Sequence, residues 1–460
     1  MDTLNQFLAD FSSFAWGLPL LILLVGGGLY LIVLSRFLPF RYLGHAVNVL
    51  RGKYDDPNDP GQISHFQALT TALSSTIGMG NIAGVALAIA VGGPGAMFWM
   101  WVSAIIGMST KFFTSTLAVL YRGKDSAEEV QGGPMYFIVE GLGKHWKPLA
   151  AMFSVFGMLG ALPVVNVNQL KQAINDIILI PNGVEVSFTT NLIMAGVLVV
   201  FTTIVILGGL KRISAIAAKM VPSMVLLYFV LVLIILGINY TEIPKYLLLI
   251  FTDAFEANFI NGEAAFGGVL GALVLLGIKR GAFSNEAGIG TAPMAHGAAK
   301  TNEPVREGLV AMLGPAIDTL VVCTLTALII LVTGVWETTS NNGVSLTASA
   351  FQDAIPGFGQ YLLMLCVFIF SISSLFSYAY YGTKCTAFLV GVKYKQYYNI
   401  LYILSIILAA TTEFEAMINF IDGVFAFMAI PTMTATIVLA PKVIQASKTY
   451  FKTLRSNSAR

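Results

Sequence analysis

Eleven apolar stretches, each close to the length that carries a helix through a bilayer, dominate this sequence. They run roughly over residues 15–36, 66–91, 94–121, 148–179, 189–208, 213–239, 263–290, 308–335, 358–383, 397–412 and 415–440. A hydrocarbon core about 30 Å thick needs about 20 mostly apolar residues per helical crossing. Inside lipid every backbone N–H and C=O must find a partner within the protein, and a helix satisfies them within one segment. Composition agrees: hydrophobic residues make up 56% and charged residues 11%, against about 25% charged in ordinary soluble chains. Too little charge remains to coat a soluble surface. The sequence therefore predicts an all-α integral membrane protein with about eleven transmembrane helices.

The same numbers exclude other classes. A net charge of +2 does not support a nucleic-acid binder held by bulk electrostatics. Cys323, Cys366 and Cys385 all sit in apolar runs, which is neither a disulfide framework nor a zinc pattern. Four scattered histidines give no catalytic metal motif, and no H-E-x-x-H is present, so an enzyme is not expected and no cofactor is implied. The first stretch reads as a membrane helix rather than a cleaved leader, because Asp2 and Asp10 make its front acidic and no A-x-A-like site follows before Arg36.

Lys and Arg set the orientation. With the N-terminus outside, 23 of the 26 fall in segments 36–53, 122–147, 211–219, 279–306, 384–395 and 442–460, all on the inner side. Lys245 alone is in an outer loop, and Lys111 and Lys171 lie within spans. A multi-pass protein of the cell membrane with a cytoplasmic C-terminus follows. The expected organisation is an N-terminal helix and cytoplasmic loop (1–64), a first five-helix unit (65–239), a second with its outer loops (240–440), and a basic tail (441–460).

Two stretches carry glycines near their middles. One reads Thr76-Ile77-Gly78-Met79-Gly80-Asn81-Ile82-Ala83-Gly84, the other Ala265-Phe266-Gly267-Gly268-Val269-Leu270-Gly271-Ala272. Glycine costs about 1 kcal/mol relative to alanine in a helix interior. Broken backbone at membrane depth survives only where it is buried in protein or lines a cavity. Gly80-x-x-x-Gly84 also fits a small-residue packing contact. Setting the first helix aside, however, the two stretches are numbers one and six of ten. That is the arrangement of a five-plus-five inverted repeat with its site between broken helices. Gly78-x-Gly80-x-x-Ala83 matches a dinucleotide fingerprint, but lacks the preceding strand and soluble βαβ unit that motif needs.

Such a site meets a solute with bare peptide groups. Free N–H groups of Gly78, Met79, Gly80 and Asn81, at a half-helix start, suit a carboxylate. Carbonyls around Phe266, Gly268 and Gly271 suit an ammonium. Asp318 lies near the centre of its span, where a charge costs about 2.5–3.5 kcal/mol and is functional by default, as a network anchor or proton-sensitive gate. Lys111 and Glu286 fall nearer the inner face and are candidates to pair across a closed gate.

The run Gly92-Gly93-Pro94-Gly95-Ala96-Met97-Phe98-Trp99-Met100-Trp101, continued to Met108, resembles the signature of the alanine/glycine:cation symporter family, in the amino acid–polyamine–cation superfamily. Gly78 to Gly84, Gln131-Gly132-Gly133-Pro134-Met135-Tyr136, Arg280 to Gly288, Asp318 to Thr324 and Tyr380-Tyr381-Gly382 resemble further motifs of that family. The resemblance implies a fold like the bacterial leucine transporter, here with one extra N-terminal helix. It also implies sodium- or proton-coupled uptake of small neutral amino acids such as alanine and glycine. By resemblance, Gln169 in Asn166-x-x-Gln169 offers an oxygen to the substrate ammonium. Sodium would be held by the carbonyls of Thr76 and Met79 with the hydroxyls of Ser373 and Ser374. Met79, Phe266, Phe376 and Tyr378 would wall the pocket. Many members carry Thr at the place of Met79 and Trp at the place of Tyr378, so the substrate range is the part of the resemblance these two positions leave open. The expected partners are a small neutral amino acid, a sodium ion and the lipid bilayer. A channel would instead show a continuous polar lining, whereas the polar residues here cluster at mid-depth.

Overall fold

The computed structural model describes residues 2–255, 269–412 and 414–458. Helices account for nearly all of them. We number the principal ones α1 (Asp2–Ala15), α2 (Leu18–Leu34), α3 (His65–Thr76), α4 (Gly80–Gly92), α5 (Ala96–Leu120), α6 (Lys144–Asn182), α7 (Phe188–Ile206), α8 (Gly209–Ile238), α9 (Val269–Asn285), α10 (Ala292–His296), α11 (Pro304–Val332), α12 (Gly343–Ala354), α13 (Gly359–Val390), α14 (Lys395–Thr411) and α15 (Phe414–Ser458). The only strands among the described residues are the two-residue pair Gly123–Lys124 and Val130–Gln131.

Seven described helices are long and apolar enough to cross a membrane alone. Two bent pairs qualify when each is taken as one span: α1 with α2, bent by 45°, and α3 with α4, bent by 53°. Helices α9 and α14, 17 residues each, sit at the lower limit for a crossing. Burial separates the roles of the spans. Nearly every residue of α5 from Gly107 to Val119 is buried, whereas α7 and α8 expose Ile193, Val200, Ile204, Leu226 and Leu233 to the lipid side. The lining of the interior therefore comes from α3–α6, α9–α11, α13 and α15.

One expectation about the chain is corrected here. Lys279 and Arg280 are not in a basic connection. They stand inside α9, where Asp422 Oδ2 on α15 lies 2.7 Å from Lys279 Nζ and 2.8 Å from Arg280 Nη2. A charge at that depth is tolerable because it is paired. The N-terminal helix closes over this pair: Trp16 Nε1 donates to the Asp422 carbonyl (2.9 Å) and Lys279 Nζ donates to Ser12 Oγ (3.1 Å). The glycine-rich start of the seventh apolar stretch, with Phe266 and Gly268, lies outside the described residues; Gly271 is inside α9. The chain also leaves the helix after Asn285, with left-handed backbone at Glu286 (φ 52°), Gly288 (86°) and Gly290 (106°) before α10 begins.

Candidate functional site

The site begins where α3 stops. A capping box, Ser64 with Gln67, starts that helix and satisfies two otherwise orphaned N–H groups. Its last regular bond joins Ile77 N to the Leu73 carbonyl, and Ile77 then turns to ψ 88°. The backbone freed by Gly78-Met79-Gly80 is caught by two side-chain amides: Gly78 N donates to Asn81 Oδ1 (2.9 Å) and Met79 N to Asn166 Oδ1 (3.3 Å). Helix resumes through a π-turn, Gly80–Gly84, a form frequent at functional positions. Glycine is required at 78: a Cβ there would lie 2.6 Å from Ser374 Oγ and 3.2 Å from Asn166 Oδ1. At Gly80 the nearest atom would be 3.5 Å away, on Phe283.

The second break lies against the first, and carboxylates hold it. Asp318, on a second π-turn (Ala316–Cys323) within α11, is fully buried. Its oxygens accept from Asn81 Nδ2 (2.7 Å), Ser284 Oγ (2.7 Å) and Thr319 Oγ1 (2.8 Å). One buried carboxylate thus ties the start of the resumed helix after the first break to the end of α9 before the second. Asn285 Nδ2 adds a bond to Thr319 Oγ1 (3.2 Å). Glu286, also buried, accepts from Tyr378 OH on α13 and from Thr291 Oγ1 at the start of α10. A glutamate held at positive φ is uncommon, and here the conformation spans the gap between the two halves of a broken helix. Lys111 is buried with its Nζ against Gly314. Among the described residues no ion pair within 4 Å joins it to Glu286; the glutamate is taken by Tyr378 and Thr291 instead.

Beside the first break, against Phe283 of α9, lies a small cavity of about 20 Å³, room for about one water molecule. It is lined by Ser75, Thr76, Gly78, Met79, Gly80, Asn166, Phe283, Tyr378 and Phe425, with Gly160, Leu162, Val165 and Ile421. Phe283 and Phe425 pack with ring centroids 5.6 Å apart, one helical turn from Arg280 and Asp422 respectively. Larger hollows lie toward each face. One, about 370 Å³, is formed by Asn168, Lys171, Gln172, Asp176, Asn342 and Glu415. The other, about 320 Å³, is formed by Gln62, Asp125, Tyr380, Lys384, Asn399 and neighbours, on the side of the Lys/Arg-rich connections.

The sequence-derived candidates divide accordingly. Thr76, Gly78, Met79, Gly80 and Tyr378 line the cavity, and Asn81 stands directly behind it. Gln169 does not line it. Its Oε1 accepts from Val344 N (3.2 Å) on α12 and its Nε2 donates to Gln172 (2.9 Å). Residues three apart on a helix share a face one turn apart, so Asn166 takes the cavity position and Gln169 the turn beyond. Ser374 Oγ lies beside Gly78, while Ser373 Oγ lies 3.5 Å from Met224 Sδ on α8; both hydroxyls donate to the Phe370 carbonyl. Phe376 is buried but is not among the cavity walls. Phe283, Ser284 and Phe425 were missed from the sequence. The first two follow Arg280-Gly281-Ala282, and Glu286 with Gly288-x-Gly290 just beyond is a signal that could have located the break there.

Comparison with known proteins agrees with this geometry. The family model described as "Sodium:alanine symporter family" matches residues 1–460. The sodium/alanine symporter AgcS of Methanococcus maripaludis is 40% identical over 454 residues, covering 98% of this chain and 97% of that one. The probable sodium/glutamine symporter GlnT of Bacillus subtilis is 35% identical, covering 95% of this chain and 88% of its own. The amino-acid carrier protein AlsT of the same organism is 33% identical, covering 96% and 91%. A solved structure of MhsT in complex with L-phenylalanine superposes with a TM-score of 0.59 at 14% identity, covering 83% of this chain and 89% of that one, which places the chain in the leucine-transporter-like fold. Two interrupted helices meeting in a buried cavity, on that fold, with whole-length relatives of this kind, establish that the chain belongs to the sodium:alanine symporter family of membrane transporters.

Proposed function

We propose that this protein couples the inward movement of sodium to the uptake of a small neutral amino acid, alanine or glycine, by alternating access. The observation that carries this reading is the small cavity at the first helix break, separate from the larger hollows formed by Asn168, Lys171 and Glu415 and by Gln62, Asp125 and Lys384. A pore would join the three; a carrier keeps the middle one apart and opens it to one side at a time.

The substrate roles follow from chemistry. The N–H groups of Gly78 and Met79 now bond to amide oxygens of Asn81 and Asn166. A carboxylate oxygen is the stronger acceptor for the same donors, and the adjoining half-helix start favours negative charge. An amino acid cannot fit a space of about 20 Å³, so its entry must draw the walls apart. Met79, Phe283, Tyr378 and Phe425 then limit its side chain. One added methylene against such a wall changes affinity by about 1–3 kcal/mol, enough to favour alanine over leucine. Sodium is a co-substrate here, held in our reading by the Ser373 and Ser374 hydroxyls and the Thr76 and Met79 carbonyls. Ser374, already beside Gly78, has the stronger claim of the two serines. One sodium crossing 100 mV inward releases about 2.3 kcal/mol, a roughly fifty-fold accumulation before any concentration gradient counts.

The orientation we adopt puts the Lys/Arg-rich connections in the cytoplasm of the cell-membrane protein. The names of the relatives, which include a sodium/alanine and a probable sodium/glutamine symporter, support the class and leave the amino acid to experiment. Labelled alanine uptake into proteoliposomes, with and without an inward sodium gradient, decides. Uptake that needs sodium, and a raised sodium requirement in Ser374→Ala, is expected. Uptake driven equally by protons alone would overturn the coupling.

A further inference from the structure

Three buried titratable side chains meet far from the cavity and have no part in it. His65 is the first residue of α3, His296 the last of α10, and Glu307 lies on the first turn of α11. All three are at most 1% exposed. Nδ1 of His65 contacts Glu307 Oε2, and Nδ1 of His296 is 2.5 Å from Glu307 Oε1. One carboxylate is thereby shared by two imidazoles. Nε2 of each imidazole is buried with no hydrogen-bond partner.

The location gives the cluster its meaning. α3 and α10 are the halves of the two interrupted helices that point toward the Lys/Arg-rich connections. The opposite halves, α4 and α9, are bound to each other through Asp318. Opening the cavity toward the basic side requires α3 or α10 to leave α11, and Glu307 is where both are fastened. Resting on the transport reading above, the geometry points to His65, Glu307 and His296 as a proton-binding latch on the basic-side gate.

Either form of an imidazole can donate to the Glu307 carboxylate; protonation adds the attraction of opposite charges in a buried site. Separation of the parts would then strand two opposite buried charges rather than the carboxylate alone, which costs more. A protonated latch therefore holds the gate shut, and a deprotonated one releases it.

The surroundings fit that sign. Asp55 Oδ1 stands 3.9 Å from His65 Nε2, able to receive the added proton's charge. Arg122, at the end of α5, donates to the carbonyls of Pro60, Gly297, Ala299 and Thr301 and feels Glu307 and Asp59. Arg306, next to Glu307 in the chain, donates to the Tyr54 carbonyl and to Tyr450 OH. Lys384 on α13 donates to the Met294 carbonyl of α10 (2.8 Å). Lys111 lies further along α5. Lys211, Arg212 and Lys219 of α8 are exposed. His45, the other histidine near this face, bonds to Tyr450; burial, with Arg306 and Lys53 beside it, lowers its pKa, so its titration falls below that of an ordinary imidazole.

The chain carries its own reporter. Cys385 Sγ is buried 3.8 Å from Met294 Sδ of α10, so movement of α10 uncovers it. Maleimide labelling of Cys385 in the full-length protein, in proteoliposomes without substrate, is read by peptide mass spectrometry and referred to the unfolded chain at the same pH. Labelling about tenfold slower near pH 5.5 than near pH 8 is expected, across the range in which imidazoles change charge. His65→Gln and His296→Gln should label at the fast rate at both values. A flat wild-type profile, or an unchanged profile in both variants, overturns the latch. Should the variants fail to fold, [15N]histidine spectra of the wild type decide, because an imidazole must gain its proton over the interval in which labelling slows; no such titration also overturns it. Labelling needs neither substrate nor gradient. Loss of sodium-driven uptake with pH-dependent labelling intact defeats the transport reading alone, and the converse defeats the latch alone.

Discussion

The two helix breaks of this molecule are built differently. The first, at Ile77–Met79, is neutral and short: glycines release the backbone, and the amide side chains of Asn81 and Asn166 catch it. The second, at Glu286–Thr291, is longer and charged: a glutamate held at positive φ bridges Tyr378 and Thr291, and Asp318 braces the helix before it. A neutral break can exchange its amide partners for a ligand at small cost, since one acceptor replaces another. A break braced by buried acidic side chains cannot let go without leaving their several hydrogen-bond partners unpaired in the interior. In the transport reading proposed above, the first break is the one that would exchange partners with a ligand, and the second would hold the scaffold.

The sharpest way to break that division is Asp318→Ala. It removes the shortest bond of Asn81 Nδ2, Ser284 Oγ and Thr319 Oγ1 at once, leaving Asn81 the backbone carbonyl of residue 318 and longer contacts and Ser284 the Cys323 thiol, and each poorly satisfied buried group costs about 1–3 kcal/mol. We expect a loss of about 3 kcal/mol or more in stability, read as a lower melting temperature of the purified protein, together with loss of uptake. A wild-type melt would show that the carboxylate does not brace the breaks. Gly78→Ala comes next. Its Cβ would meet Ser374 Oγ at 2.6 Å, so uptake should fall by about tenfold or more, while Gly80→Ala, with nothing nearer than 3.5 Å, stays within about twofold. Equal effects of the two would mean that close approach to Ser374 does not set the glycine requirement.

Asn166→Ala removes an acceptor at the cavity and should raise the alanine KM by about tenfold, a loss of about 1.4 kcal/mol, with little change in melting. The smallest effect is expected for Gln169→Ala, about twofold or less in KM, because that side chain ties α12 to α6 rather than facing the cavity. A larger KM effect at Gln169 than at Asn166, measured in the same uptake assay, would reverse their roles.

The glycine-rich seventh stretch shows where reading a chain from its letters stops. Of Gly267, Gly268 and Gly271, which draw the eye because closely spaced glycines weaken a helix, only Gly271 is among the described residues, and it lies in helix. A break that those glycines did not point to forms at Glu286, Gly288 and Gly290, where an acidic residue inside an apolar run finds partners on α13 and at the start of α10. Intrinsic helix cost marks where a break is cheap; partners decide where one is stable. The same limit applies to Lys279 and Arg280, which read as loop residues until Asp422 is seen to pair with both.

From the sequence alone came the membrane class, the helical architecture, the family and the first break, because apolar length, charge scarcity and Gly78-Met79-Gly80 are local properties that no distant contact can reverse. Tertiary structure alone decided that Asn166 and not Gln169 reaches the cavity, that Asp318 joins Asn81 to Ser284, and that two histidines share Glu307. Those pairings link residues up to 242 positions apart. Such links depend on how tilted and bent helices meet in space, which periodicity along one segment does not encode.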